Sequence, residues 1–147
     1  MALTKVTSNV LNDDAVTTSK IVDVNVTTGK LANDSVTSAK AGSEFTTAAA
    51  LTMASPVALD YTAAQVFTLT PNANMTLNIT NPVIGVSKVI VITGGGGSST
   101  LTFNVGGAAG TFNKISGDYD DTSATKNFIQ VTCVGATEFW YTISQIG

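Results

Sequence analysis

Histidine and arginine are both absent from this sequence, and cysteine occurs once. Without histidine, the commonest general base is missing, and with it every Ser–His or Cys–His pair and every His-based zinc site. Seven lysines against ten acidic residues leave a net charge of −3. With no arginine, the chain has no basic cluster to neutralise phosphates, so it is not expected to bind nucleic acid. The single cysteine, Cys133, has no intrachain disulfide partner. It lies in an apolar run and is expected to be a buried, inert thiol. Charged residues make up 12% of the chain, about half the usual share. No apolar run approaches the roughly twenty residues that span a bilayer, and the N-terminus shows no basic-then-apolar leader. Synthesis in a cytoplasm without membrane insertion is therefore expected.

What the chain does have is repetition. Residues 2–41 are one ten-residue unit written four times: ALTKVTSNVL, NDDAVTTSKI, VDVNVTTGKL and ANDSVTSAKA. Val6, Val16, Val26 and Val36 share one position, and Leu11, Ile21, Leu31 and Ala41 share another. The first copy is degenerate, with Leu3 at the acidic position and Val10 in place of lysine. A fixed period signals a repeat architecture, and this one is too short for a helix-pair solenoid. Apolar anchors five residues apart fit neither a helix face nor a strand's alternation. Each unit therefore mixes an extended Val-Thr part with a turn or short helical turn that a Thr or Ser could cap. Two anchors per unit do not offset the ordering of a lone chain, at roughly 1–2 kcal/mol per residue. The alternatives are a disordered polar tail or a shaft whose anchors Val6, Leu11, Val16, Ile21, Val26, Leu31 and Val36 bury against identical chains about one axis. The second alternative suits a homotrimer.

Residues 42–60 read as a linker, with a short strand and a helical turn over Ala48–Ala50 evenly matched. Six strands are expected in residues 61–147: Gln65–Thr70, Met75–Thr80, Val86–Thr93, Thr100–Val105, Phe128–Val134 and Phe139–Ile143. Met75, Leu77 and Ile79 alternate with Thr76, Asn78 and Thr80. The run Val89–Ile92 is apolar on both faces, which predicts a central strand. Turn signals at Pro71–Asn74, Asn81–Pro82 and Gly135–Thr137 separate these runs. Short strands without a convincing helix predict an all-β fold: an N-terminal repeat shaft, 1–41, followed by a small antiparallel, jelly-roll-like β-sandwich knob.

The tandem x-D-x-x-V-T-T-x-K-[IL] unit resembles repeats in tail-fibre and related appendage proteins of tailed bacteriophages. The strand order of the C-terminal part is similar to small β-sandwich modules of phage fibres. In those modules an aromatic pair follows a G-x-T turn, and here Gly135, Thr137, Trp140 and Tyr141 occupy those places. Phe112 stands where the family often has tryptophan. The resemblance implies a non-enzymatic virion protein without a cofactor: a short trimeric head fibre or a tail-associated fibre. It would attach to capsid or tail proteins through its N-terminal arm. Alternatives are a receptor-binding module for host-surface glycan and a capsid decoration or cement protein.

Candidate sites are few. The Gly94–Gly97 run with Ser98 and Ser99 lacks the lysine and following helix of a phosphate loop and reads as a flexible turn. Asp118, Tyr119, Asp120 and Asp121 form the densest acidic cluster. They are a candidate ligand or cation loop weighed against a solvated loop tip, and they lack EF-hand spacing. Trp140 is a candidate surface aromatic for sugar stacking, weighed against a subunit contact. No paired-carboxylate or other catalytic constellation is found.

Overall fold

The computed structural model describes residues 37–146, together with Thr17, Ile21, Thr27, Leu31 and Ser35. The chain divides into two compact units, Met1–Thr37 and Ser38–Gly147. In the first, Thr17, Ile21, Thr27 and Leu31 are exposed and Ser35 is half-buried. Ile21 and Leu31, one period apart, both sit at bends, so at these positions the sequence repeat is also a conformational one. Val6, Leu11, Val16, Val26 and Val36 lie outside the described residues.

The second unit is all-β apart from a 3-10 turn at Ser38–Lys40 and a one-turn helix, α1 (Ser43–Thr46). Among the described residues there are nine strands: β1 (Ala48–Ala50), β2 (Val57–Asp60), β3 (Val66–Leu69), β4 (Met75–Thr80), β5 (Ser87–Thr93), β6 (Leu101–Val105), β7 (Thr111–Ser116), β8 (Lys126–Cys133) and β9 (Glu138–Ile146). One sheet has the order β1-β3-β5-β8-β9-β7, the other β2-β4-β6. Odd and even strands thus alternate between sheets through β6, and each stacks in parallel on the strand one coil earlier. Ala48 pairs with Val66 and Val66 with Val89; Val57 pairs with Leu77 and Leu77 with Phe103. This is a β-solenoid-like arrangement. The β8–β9 hairpin extends it, with β8 antiparallel to β5 and β7 parallel to β9.

This pairing corrects the expected antiparallel, jelly-roll-like sandwich. Alternating burial tells a strand which face is inward but not which strand lies beside it. Pro71–Asn74, which reads as a hairpin turn, is a corner that carries the chain from one sheet to the other. Gly135–Thr137 is a true hairpin, closed by Val134 N–H to Glu138 O at 3.0 Å. Residues 42–60, read as a linker, contain α1, β1 and β2. Strand β7 had no sequence signal because Phe112 is its one half-buried apolar residue, while Lys114, Ile115 and Ser116 are exposed.

The inner faces meet in one core. It contains Val57 and Leu59 of β2, Phe67 of β3, Met75, Leu77 and Ile79 of β4, Ile90 and Ile92 of β5, and Ile129, Val131 and Phe139 of the hairpin. Phe112 stacks on Phe139 with ring centroids 5.0 Å apart, and Phe103 lies 5.2 Å from Phe112. These contacts bring β6 against β7 and β9. Outside, equal residues stand above one another from coil to coil. Thr76 and Thr102 hydroxyls bond at 2.8 Å, and Asn78 pairs with Asn104. Asn78 Oδ1 accepts the Gly107 N–H at 2.8 Å. Asn104, on the edge strand β6, has a buried Oδ1 with no partner among the described residues.

Candidate functional site

Strand β5 ends at Thr93, and the chain then turns through Gly94–Ser99 before β6. Three backbone N–H groups of this turn point at one carboxylate. Gly95 donates to Asp121 Oδ1 at 2.9 Å, and Gly97 and Ser99 donate to Oδ2 at 3.0 and 2.7 Å. The Tyr119 hydroxyl donates to Oδ1 at 2.8 Å. The Gly96 N–H adds a bond to the Asp121 carbonyl at 2.7 Å. Successive N–H groups of this kind form an anion nest, so the turn is an anion cradle filled from within the chain. The glycines are needed because the backbone passes so close. A Cβ on Gly94 would stand 2.1 Å from Thr122 O, and one on Gly95 would stand 2.2 Å from Pro71 O.

The electrostatics follow from these bonds. The Ser99 and Gly95 N–H groups, against a smaller cost of desolvation, hold the Asp121 carboxyl well below the usual carboxylate range. Burial, with a smaller push from Asp121 and Asp120, raises the Tyr119 hydroxyl to about 12. Asp120 accepts the Thr122 hydroxyl at 2.7 Å and the Thr122 N–H at 2.8 Å, which lower its pKa in that order. Asp118 pairs with Lys114. Asn127, fully buried on β8, locks the loop to the sheet. Its Oδ1 accepts the Asp120 N–H at 2.8 Å, and its Nδ2 donates to Asp120 O at 2.7 Å and Ile92 O at 3.3 Å. That role explains why β8 turns an asparagine inward and leaves Phe128 43% exposed.

The four acidic-loop residues Asp118, Tyr119, Asp120 and Asp121 therefore come together. With Ser99 and Gln145 they line an open polar concavity of about 640 Å³. The carboxylates do not converge, however, since each has a different partner. Among the described residues no group of three or more His, Cys, Asp or Glu stands at metal-ligand spacing. Calcium would have to displace the N–H groups from Asp121. Adding calcium, or removing it with chelator, is thus expected to leave the melting temperature unchanged; a rise with calcium would show a cation seat in this loop.

Trp140 lies elsewhere, on the outer face of β9, 48% exposed. Cys133 is fully buried, and its thiol donates to Gly135 O at 3.2 Å; burial raises its pKa. Of the anchor residues, Ile21 and Leu31 are 44% and 46% exposed. The sequence reading missed the cradle, Asn127 and Lys88. The cradle had a signal, because a glycine run exposes consecutive N–H groups and an acidic cluster further along the chain supplies the anion. The buried Lys88 looks like any polar residue at a strand start. Among the described residues, no helix is long and apolar enough to cross a membrane. Comparison with protein-family models, with curated proteins and with solved structures returned no match.

Proposed function

We propose that this chain is a structural subunit of a tailed-phage particle, a short head fibre or tail-associated fibre built as a homotrimer. The repeat arm is the particle-bound part, and the β-solenoid-like unit is the part displayed. The observation that supports this reading is the exposure of Ile21 and Leu31, at the same bend of consecutive repeats, with 44% and 46% of their surface open. A single chain gains nothing from spacing such residues at a fixed period. Chains wound about a common axis cover each of them once per period, for about 1 kcal/mol per half-exposed side chain. The β-solenoid-like unit suits display, because uncharged Thr76–Thr102 and Asn78–Asn104 pairs stand on the outer face of β4 and β6. No catalytic role is assigned.

Light scattering on the full chain tests this. The expected mass is that of three chains. Ile21→Asp combined with Leu31→Asp is expected to reduce it to one chain while the melting transition of the knob stays in place. A full chain that is monomeric, or a double variant that keeps its trimer mass, overturns the shaft assembly.

A further inference from the structure

The two sheets differ on their outer faces. Strands β4 and β6 turn threonine and asparagine outward, whereas the β8–β9 hairpin of the large sheet does not stay polar. The outward row of β8 is Lys126, Phe128, Gln130 and Thr132, continued by Val134. The outward row of β9 is Glu138, Trp140, Thr142, Ser144 and Ile146. The four large apolar side chains of these rows are open to water, from 43% for Phe128 to 73% for Ile146. Half-buried Val91 and Val89 of β5 lie beside Phe128 and Gln130 and extend the patch. A contiguous apolar patch of this kind marks a contact surface. The two rows also share one order. Each reads, in chain direction, charge, aromatic, polar, hydroxyl, aliphatic, and the charges have opposite sign. The strands are antiparallel, so Phe128 pairs with Ser144, Gln130 with Thr142 and Thr132 with Trp140. Each aromatic ring thus stands beside a small side chain, and Lys126 and Glu138 lie at opposite ends of the hairpin, about 25 Å apart. Among the strands of this sheet no other charged residue points outward, since Lys88 is buried and Lys114 lies against Phe103 and Tyr141.

We propose that this face pairs with the same face of a second copy of the chain, across a two-fold axis perpendicular to the strands. Turning the face over about such an axis reverses the strand direction and keeps β8 over β8. Phe128 then stands over the second copy's Thr132, and Trp140 over the second copy's Ser144. Large side chains over small ones let the facing layers interdigitate. The end that carries Lys126 meets the end that carries Glu138, twice in each pair. A two-fold axis along the strands would instead set Lys126 beside Lys126 and Glu138 beside Glu138, so charge selects the axis. The groups are already in place. Glu138 Oε1 accepts the Trp140 indole N–H and the Asn113 amide, both at 3.1 Å, which fixes the ring and leaves Oε2 for a lysine. Lys126 gives one of its three N–H groups to Thr93 Oγ1 at 2.7 Å and has two to offer. Strands β3, β5, β8 and β9, spaced about 4.8 Å apart and up to about 25 Å long, present on the order of 500 Å² per copy. The pair therefore buries on the order of 1,000 Å², the lower limit for a specific contact. Pairing is weak and forms in concentrated solution. It needs no part of the repeat arm.

The full-length chain carrying Ile21→Asp and Leu31→Asp is followed by sedimentation equilibrium from about 10 µM to about 2 mM. Its mass is expected to double over this range, with half-association between about 0.1 and 1 mM. The emission of Trp140, the sole tryptophan, is expected to shift to the blue in step. Lys126→Glu or Glu138→Lys, added singly, is expected to weaken pairing about tenfold or more. An equimolar mixture of the two is expected to pair like the parent, because each lysine then meets a glutamate again. Phe128→Asp, which breaks no internal side-chain bond, is expected to abolish pairing with the melting temperature unchanged. A mass that stays constant to the highest concentration overturns the proposal, as does one that triples. Pairing that survives Phe128→Asp overturns it as well, and so does a mixture of well-folded charge variants that pairs no better than either alone. The readout is a doubling of whatever mass the dilute chain has, so it is independent of the arm's assembly.

Discussion

Asp121→Ala is expected to lower the melting temperature by about 10 °C or more, and to open the turn between β5 and β6. The substitution removes the acceptor for three backbone N–H groups and one hydroxyl together. Bonds to an ionised acceptor are stronger than neutral ones, so four lost together are costly. Asp121→Asn is expected to do little better, since its NH2 group would face N–H donors. The effect carries a pH signature. Asp121 has its pKa depressed in the folded state, so its contribution is complete above the ordinary 3.8 and disappears as pH falls through the lower folded value. The hydrogen bonds to Asp60 and Asp120 depress their pKa values as well. The stability of the parent should therefore fall steeply in acid, below about pH 4, and that slope should be shallower in Asp121→Asn. Urea titrations at a series of pH values measure both. A variant as stable as the parent, with an unchanged acid slope, would show that the cradle does not hold the turn.

Lys88→Ala is expected to cost about 3 kcal/mol. Lys88 is 1% exposed on β5, among the largest fully buried side chains. Its ammonium donates to the carbonyl of Glu44 and stands 5.6 Å from the Phe45 ring and 5.8 Å from the Tyr61 ring. It thus fastens α1, at the start of the second unit, to the middle of the large sheet. Alanine loses the bond and the packing of the stem, whereas methionine keeps most of the volume without a buried charge. Lys88→Met is therefore expected to retain most of the stability. Burial lowers the lysine pKa, against a smaller opposing pull from Glu44. Between the lowered folded value and the ordinary 10.5, the unfolded chain binds more protons than the folded one. In that alkaline window this group's contribution makes stability rise with pH. The rise should be missing in Lys88→Met. A parent without that rise, or an alanine variant as stable as the parent, would mean that the ammonium is solvated in solution.

Several features were legible in the residues alone. The inward set of β4 follows from strict alternation in Met75–Thr80, and the central place of β5 follows from Val89–Ile92 being apolar on both faces. The hairpin at Gly135–Thr137 follows from its turn chemistry, and the buried thiol of Cys133 from its apolar run. The absence of histidine and arginine, the single cysteine and the low charge are properties of composition, and no fold alters them. The acidic loop was identifiable as a cluster; its purpose was not.

Partnership between distant segments is what only the tertiary structure decided. A strand's side-chain period is the same whether its neighbour is the next strand or the one a coil away, so parallel coil-on-coil stacking leaves no local mark. The turn at Pro71–Asn74 has the same residues whether it closes a hairpin or rounds a corner. Asp121 reads as one more solvated acid until the glycine turn, more than twenty residues earlier in the chain, is folded around it. Asn127 reads as an outward polar residue until the loop it bonds lies beneath β8. The sequence by itself determined which faces are apolar, where the chain turns, and that the first forty residues repeat. Which faces meet, which acid fills the cradle and which aromatic remains in water depend on long-range pairing. That pairing is set by the free energy of the whole core, which no window of neighbouring residues contains.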